Sequence, residues 1–280
     1  MRILSVGDRV REGSYPAHSS FSRALNFMDG RLLVSVVDET VGGGPLNIVL
    51  SGPLPDAADR LEIGARRAVL GDVSLDLAAA RRYRSELGTA RAGAAELREG
   101  LAVLETRLVE TAPRESLVFL LDGRRVRRLR PGFERAFADR ATLAAREIFG
   151  GDLSEGARML KGCGFGLTPS GDDFLAGALF GLHFLGKVSG GDFGRAVALV
   201  YEAAKGGGVF SDTFLYLAKE GLFFESLKGL ARALLDGAEE AIIRAADRLI
   251  AVGASSGADL ATGFLMTLRK GEALWSSTAG

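Results

Sequence analysis

Two stretches of this chain carry one pattern, and that pattern restricts how the chain can fold. Residues 170–179 read Ser-Gly-Asp-Asp-Phe-Leu-Ala-Gly-Ala-Leu, and residues 256–265 read Ser-Gly-Ala-Asp-Leu-Ala-Thr-Gly-Phe-Leu. Aligned, they give Ser-Gly-x-Asp, an apolar residue, two variable positions, then Gly-x-Leu. Each reads as a tight turn feeding a helix. Gly177 and Gly263 then fall inside their helices, past the first turn. A glycine there costs about 1 kcal/mol against alanine. Close approach of another backbone compensates for it, with one helix against the other. That packing would bring two helix N-termini to one place. Helix N-termini offer unpaired N–H groups and a partial positive charge, so two of them make a pocket for a small anion.

The first copy is approached by Lys161-Gly-Cys-Gly-Phe-Gly-Leu-Thr-Pro-Ser-Gly-Asp-Asp. Gly162, Gly164, Gly166 and Gly171 open backbone angles closed to other residues and let a ligand come near the main chain. Thr168 and Ser170 supply hydroxyls. Ser170 or Asp172 is suited to cap the helix. Asp173 sits in the first turn, where a carboxylate can bind a metal or accept from a substrate amide. The second copy repeats the design with Ser255, Ser256, Gly257 and Asp259. A capped Gly-rich turn is the ordinary alternative. Four glycines, two hydroxyls and two carboxylates in one loop exceed what a turn requires.

Around these copies the chain reads as α+β. The segments 31–38 and 46–50 are short, β-branched and bounded by Gly and Pro, which points to a small barrel or sandwich. A further strand is expected over 60–70. Residues 75–112 turn helical, with an apolar stripe through Leu97, Leu101, Leu104 and Leu108. Ser116 to Leu121 reads as a buried strand returning to the first sheet. From about residue 133 everything reads helical, with Gly-containing joints. The expected division is a β-rich N-terminal domain over 1–132, with a helical insertion near 75–112. An α-helical domain over 133–280 carries both signatures.

Composition excludes several function classes. Apolar residues make up 47% and charged residues 25%, and 35 basic side chains balance 35 acidic ones. A dominant nucleic-acid or anionic-membrane surface is not expected. No apolar run is long enough for a membrane span, and the N-terminus lacks the apolar core of a signal peptide. With Cys163 as the single cysteine, no intrachain disulfide is possible, which fits a cytoplasmic protein. Only His18 and His183 exist, so a His-rich metal site is out of reach and a Ser-His-Asp triad is disfavoured. Carboxylates alone can hold Mg²⁺, so a magnesium cofactor stays open. Gly181 to Lys187 has phosphate-loop spacing but is followed by Val188, inside an apolar helix. No dinucleotide fingerprint occurs, so neither nicotinamide nor flavin is signalled. Cys163 has no nearby histidine to activate it. His183 reads as a packed helix residue. The run 124–130 is basic and reads as a solvated face. His18-Ser-Ser-Phe-Ser-Arg-Ala-Leu-Asn26 mixes polar groups that can reach a site between the two parts; the bland alternative is that it starts the first helix.

The run Gly164-Phe-Gly-Leu-Thr-Pro-Ser-Gly-Asp-Asp-Phe-Leu-Ala-Gly177 resembles the signature of the AllH-like family, bacterial proteins long catalogued as a domain of unknown function. Gly253-Ala-Ser-Ser-Gly-Ala-Asp259 is similar to the second signature of that family. The segments from His18 to Asn26 and from Gly44 to Val49 look like its N-terminal part. The resemblance implies a subunit of oxamate carbamoyltransferase in anaerobic allantoin breakdown, working with other subunits. It also implies carbamoyl transfer between oxalurate and phosphate, giving oxamate and carbamoyl phosphate. It transfers no catalytic residues. On the residues themselves, Asp172, Asp173 and Asp259 are the candidates to orient an amide or a metal-bound group. Gly164, Gly166, Thr168, Ser170, Gly171, Ser255, Ser256 and Gly257 are the candidate substrate-binding positions, with His18 and Asn26. A non-catalytic subunit that binds a small anion or nucleotide is the alternative.

Overall fold

The computed structural model describes residues 1–88 and 93–271. The chain is α+β and divides into two compact units. One is Met1–Glu86 with Leu222–Glu225; the other takes the described residues from 87 to 221 and from 226 onward.

The first unit is a nine-stranded sheet curled into a half-barrel. Its strands are β1 (Arg2–Val6), β2 (Gly13–Phe21), β3 (Ala24–Asp29), β4 (Leu32–Asp38), β5 (Asn47–Ser51), β6 (Arg60–Ile63), β7 (Arg67–Leu70), β8 (Val73–Asp76) and β9 (Arg81–Arg82). They lie in the order β8-β7-β6-β2-β3-β4-β5-β1-β9. The strand expected over 60–70 is two strands, because Gly64 and its neighbours turn the chain into a hairpin that pairs Leu61 with Leu70. The segment from His18 to Asn26 starts no helix. It is the β2–β3 hairpin, with Phe21 opposite Ala24. Inward-facing Leu25, Phe27, Val34, Val36, Ile48 and Leu50 form the core of the sheet, each at most 2% exposed. Residues 222–225 complete this unit. Phe223 N–H donates to Ser85 O, Tyr83 Oη donates to Phe223 O, and Gly43 N–H donates to the Glu225 carboxylate.

The second unit holds nearly all of α1 (Ala94–Thr111), α2 (Phe133–Gly150), α3 (Leu153–Leu160), α4 (Ser170–Ser189), α5 (Gly194–Ala204), α6 (Val209–Lys219), α7 (Glu225–Asp236), α8 (Glu239–Ile250) and α9 (Ser256–Lys270). The apolar stripe of α1 is buried, and the helix packs on α8 and α9. For that reason α1 is part of the helical unit and not an insertion in the sheet. The unit boundary lies at 86/87, whereas the sequence places it at 132/133. The helix itself starts at Ala94, later than the expected 75, since 73–76 and 81–82 are strands; residues 89–92 of that expectation lie outside the described residues. The strand expected at Ser116 to Leu121 is also absent. Leu117–Leu120 is a 3-10 turn buried against α2 and α9. An apolar run this short has no periodicity to separate the two states.

The central helix of this unit is α4. It is buried on all sides from Ser170 to Gly181, and it packs more extensively with α9 than any other two elements pack together. At their crossing the two backbones touch. A Cβ on Gly177 would lie 2.0 Å from Leu260 O, and a Cβ on Gly263 would lie 2.1 Å from Phe174 O. Phe174 and Leu260 are equivalent positions of the repeat, as are Gly177 and Gly263. The contact is therefore reciprocal, as about a local two-fold axis. The repeat extends to the preceding helices. Gly171 sits against Leu160 O at the end of α3, and Gly257 against Leu249 O at the end of α8. Gly171 N–H donates to Cys163 O and Gly257 N–H to Val252 O, the same connection in both halves.

Because backbone oxygen cannot yield as a side chain can, Gly177→Ala is expected to destabilise the protein by about 3 kcal/mol or more, the upper range of overpacking. Gly229→Ala is the control. Gly229 lies in α7 with nothing within 4 Å of an added Cβ. That change is expected to be neutral or stabilising by up to about 1 kcal/mol. Chemical denaturation of the two variants measures both.

Candidate functional site

The crossing of α4 and α9 sets the two signature turns side by side. Thr168 Oγ1 donates to Asp173 Oδ2 at 3.0 Å and lies 3.3 Å from Ser256 Oγ. One hydroxyl from the first loop thus joins an aspartate of α4 to a serine of the second copy. The other aspartate is held from a third element. Leu117 N–H donates to Asp259 Oδ1 at 2.6 Å. Asp172 faces another way: its Oδ1 accepts from Gly162 N–H at 2.8 Å, and its Oδ2 lies beside Gly207 in the loop before α6. Lys161 reaches the same loop and donates to Lys205 O.

The aspartates form a floor below a polar rim. Asp172 and Asp173 are each 1% exposed, and Asp259 and Ser170 are fully buried. Thr168, Ser255 and Ser256 are half-buried, and Gly166 is exposed. No cation is paired with Asp173 or Asp259 among the described residues. Burial therefore pushes both acids up. Asp173 rises well above the ordinary range, and the nearby charge of Asp259 adds to the rise, while the Ser256 and Thr168 hydroxyls oppose it. Asp259 is raised by burial to about 7, against the opposing effect of Leu117 N–H and the Ser255 and Ser170 hydroxyls. Ser170 favours the charged acid through its dipole. Neither its Oγ nor Asp259 Oδ2 completes a hydrogen bond, and Asp172 Oδ2 is also buried without one. Orphan oxygens like these call for a proton or a donor from a ligand.

Several expectations change at this point. Several of the N–H groups in the first turns of α4 and α9 are already bonded within the protein. Gly171 N–H is taken by Cys163 O, and the N–H groups of Asp172 and Asp173 by Pro169 O. Likewise Gly257 N–H is taken by Val252 O and Asp259 N–H by Ser255 O. Neither Ser170 nor Asp172 caps α4; its N-cap is Pro169, with no side-chain cap. The chemistry on offer is therefore that of hydroxyls and acids. A carboxyl that stays neutral near pH 7 can donate a hydrogen bond to an anion as well as accept one.

The positive φ of Gly164 and Gly166, at 106° and 95°, shapes the first loop, and Gly164 packs against Ser170. His18 and Asn26 belong to the sheet unit. Asn26 is buried there and occupied, donating to Ser19 Oγ and accepting from Ser35 Oγ. His18 lies on exposed β2 with Nδ1 3.0 Å from Ser19 Oγ. Leu117 N–H and Gly207 carry no sequence signature as site groups; in the sequence, Gly206-Gly207-Gly208 is one more Gly-containing joint. Cys163 Sγ donates to Met159 O, and burial pushes its thiol up, which works against a nucleophile. His183 Nε2 lies 2.8 Å from Lys219 O, packed as expected. Among the described residues no three His, Cys, Asp or Glu side chains come together to hold a metal ion. No described helix is long and apolar enough to cross a membrane.

The segment that carries both signature turns is also the one that a family model matches. Residues 160–268 match the family model described as oxamate carbamoyltransferase subunit AllH. The AllH match spans both signature turns and most of α4 to α9, all but four residues of it in the helical unit. No curated protein and no solved structure matches the chain.

The raised pKa of Asp259 has a measurable consequence. Unfolded, the group ionises near 3.8; folded, near 7. Between these values the folded protein holds the extra proton, so stability falls as pH rises through the window, by up to about 4 kcal/mol from this group. Asp259→Asn keeps an acceptor for Leu117 N–H and removes the titration. Its midpoint of thermal unfolding, relative to the unaltered protein, is expected to be higher at pH 8 than at pH 4.

Proposed function

We propose that the chain is a subunit of a carbamoyltransferase-type enzyme whose paired loops handle a small anionic amide. The observation that carries the reading is the reciprocal crossing that places Asp173 with Thr168 and Ser256, and Asp259 near Ser170, in the segment matched by the AllH family. The reaction would take oxalurate and phosphate to oxamate and carbamoyl phosphate. A phosphate oxygen bonds to the carbamoyl carbon, and the bond from that carbon to the oxamate nitrogen breaks. Hydrogen phosphate loses one proton and the departing nitrogen gains one. An acid that titrates near neutrality is suited to carry that proton. Thr168, Ser255 and Ser256, at the half-exposed rim, are the groups to meet the ligand; Asp173 and Asp259 serve behind them as the proton store.

Asp173→Asn is expected to lower kcat by about 100-fold or more in the complex assembled with its companion subunits, measured with oxalurate and phosphate. An assembled complex that turns over at the unaltered rate contradicts the assigned role. One observation favours a second reading, a subunit that binds a small anion without chemistry: all three aspartates are buried. Calorimetric binding of phosphate or oxamate, with no turnover in any combination of subunits, would decide for it.

A further inference from the structure

The two signature loops of the internal repeat differ in length, and the longer one exposes apolar side chains. Gly164 and Gly253 hold equivalent positions, each packed against the serine that opens the next helix, Ser170 and Ser256. The second loop covers that distance in three steps and the first in six. The turn therefore closes without the additional residues, among which are Phe165 and Leu167. Phe165 is 43% exposed and Leu167 62% exposed. Burial does not require such a placement, and each side chain forgoes part of the roughly 1.5–3 kcal/mol that full burial would give.

The patch is built rigidly. The Phe165 ring meets Phe133 edge-on at 5.2 Å, and Phe133 is itself 63% exposed at the start of α2. Phe165 also meets buried Phe137 at 6.2 Å, and Phe137 meets buried Phe119 at 6.0 Å. An edge-to-face ladder thus runs from the core to the surface. Gly164 and Gly166, both at positive φ, turn the backbone on either side of Phe165 so that its ring reaches Phe133 and Phe137. Preorganised aromatic anchors of this kind carry most of the binding energy in protein interfaces.

The border of the patch is cationic. Arg124, Arg127, Arg128, Arg130 and Arg135 are exposed in the run that leads into and follows Phe133. Arg124 pairs with Asp122, and Arg114 and Arg130 pair with Glu134, which leaves Arg127, Arg128 and Arg135 as the cationic excess. Arg125 is different: it is buried and donates to the carbonyls of Val109, Ala112 and Pro113 at the end of α1. This local excess stands in a chain whose formal net charge is +0. It also selects the occupant. A second copy docked through the same face would set arginine against arginine.

We infer that Phe133, Phe165 and Leu167, with their arginine border, are the docking surface for a different protein chain with an acidic face, a companion subunit of the enzyme proposed above. The inference rests on that reading for the identity of the partner. Thr168 follows Leu167 directly and holds Asp173, so a partner seated here lies against the rim of the site.

The test uses the full chain and purified companion subunits of the carbamoyltransferase from the same genome, with binding followed by sedimentation and biolayer interferometry. Phe165→Ser is expected to weaken the complex by about 30-fold or more, as hot-spot residues do. Leu199→Ser, an equally exposed apolar position on α5, is expected to leave it unchanged. Arg127→Glu with Arg128→Glu should slow association and flatten its salt dependence, with the thermal midpoint unchanged. Binding indifferent to Phe165→Ser overturns the inference. Self-association lost with Phe165→Ser, in place of binding to the companions, overturns it as well, as does no binding by the unaltered chain. A complex that forms through Phe165 but turns over no oxalurate contradicts the proposed function and leaves this surface standing. A complex that turns over and ignores Phe165→Ser does the reverse.

Discussion

The backbone contact between α4 and α9 is the constraint on which the helical unit depends. Phe174 O and Leu260 O occupy the space where side chains of Gly177 and Gly263 would stand. Only glycine allows that approach, and only that approach lets Thr168 of one turn reach Ser256 of the other. Two helix-interior glycines, each locally unfavourable by about 1 kcal/mol, are thus offset by burial along two central helices. The same logic is applied a second time at Gly171 and Gly257, which lock each signature helix against the end of the helix before it.

Electrostatics follow from that packing. Four polar groups, Ser170, Asp172, Asp173 and Asp259, are drawn into a nearly water-free floor by the helices that carry them. Without a cation, Asp173 and Asp259 respond by holding protons at higher pH, and Asp259 reaches about 7. Of the first-turn N–H groups, those of Gly171, Asp172, Asp173, Gly257 and Asp259 are bonded within the turns themselves. Asp173 and Asp259 thus form a proton-bearing floor beneath the hydroxyls of Thr168, Ser255 and Ser256.

Much of this was legible in the chain. A glycine inside a helix demands a reason, and Gly177 and Gly263 in register with Ser-Gly-x-Asp pointed to helix against helix. The strand character of 32–38 and 47–51 followed from β-branched residues between turns. The rest was hidden for physical reasons. Leu117 N–H is a backbone group with no sequence signature, and its 3-10 turn has too few residues to show a period. The stripe of α1 revealed a buried face but not its partners, α8 and α9. The fate of the helix N–H groups depends on loop paths that Gly164 and Gly253 take at positive φ. Residues Phe165 and Leu167 looked like part of the signature; only the equivalence of Gly164 with Gly253 shows them as additional.

The central claim is that the two copies form one electrostatic unit through the crossing of their helices. Carbon-13 NMR titration of the aspartate carboxyls tests it most directly. In the unaltered protein Asp173 and Asp259 should both titrate far above the ordinary carboxyl range. Removing the second charge by Asp259→Asn should lower the midpoint of Asp173, because the charge that helped raise it is gone. An Asp173 midpoint that stays where it was would contradict the account.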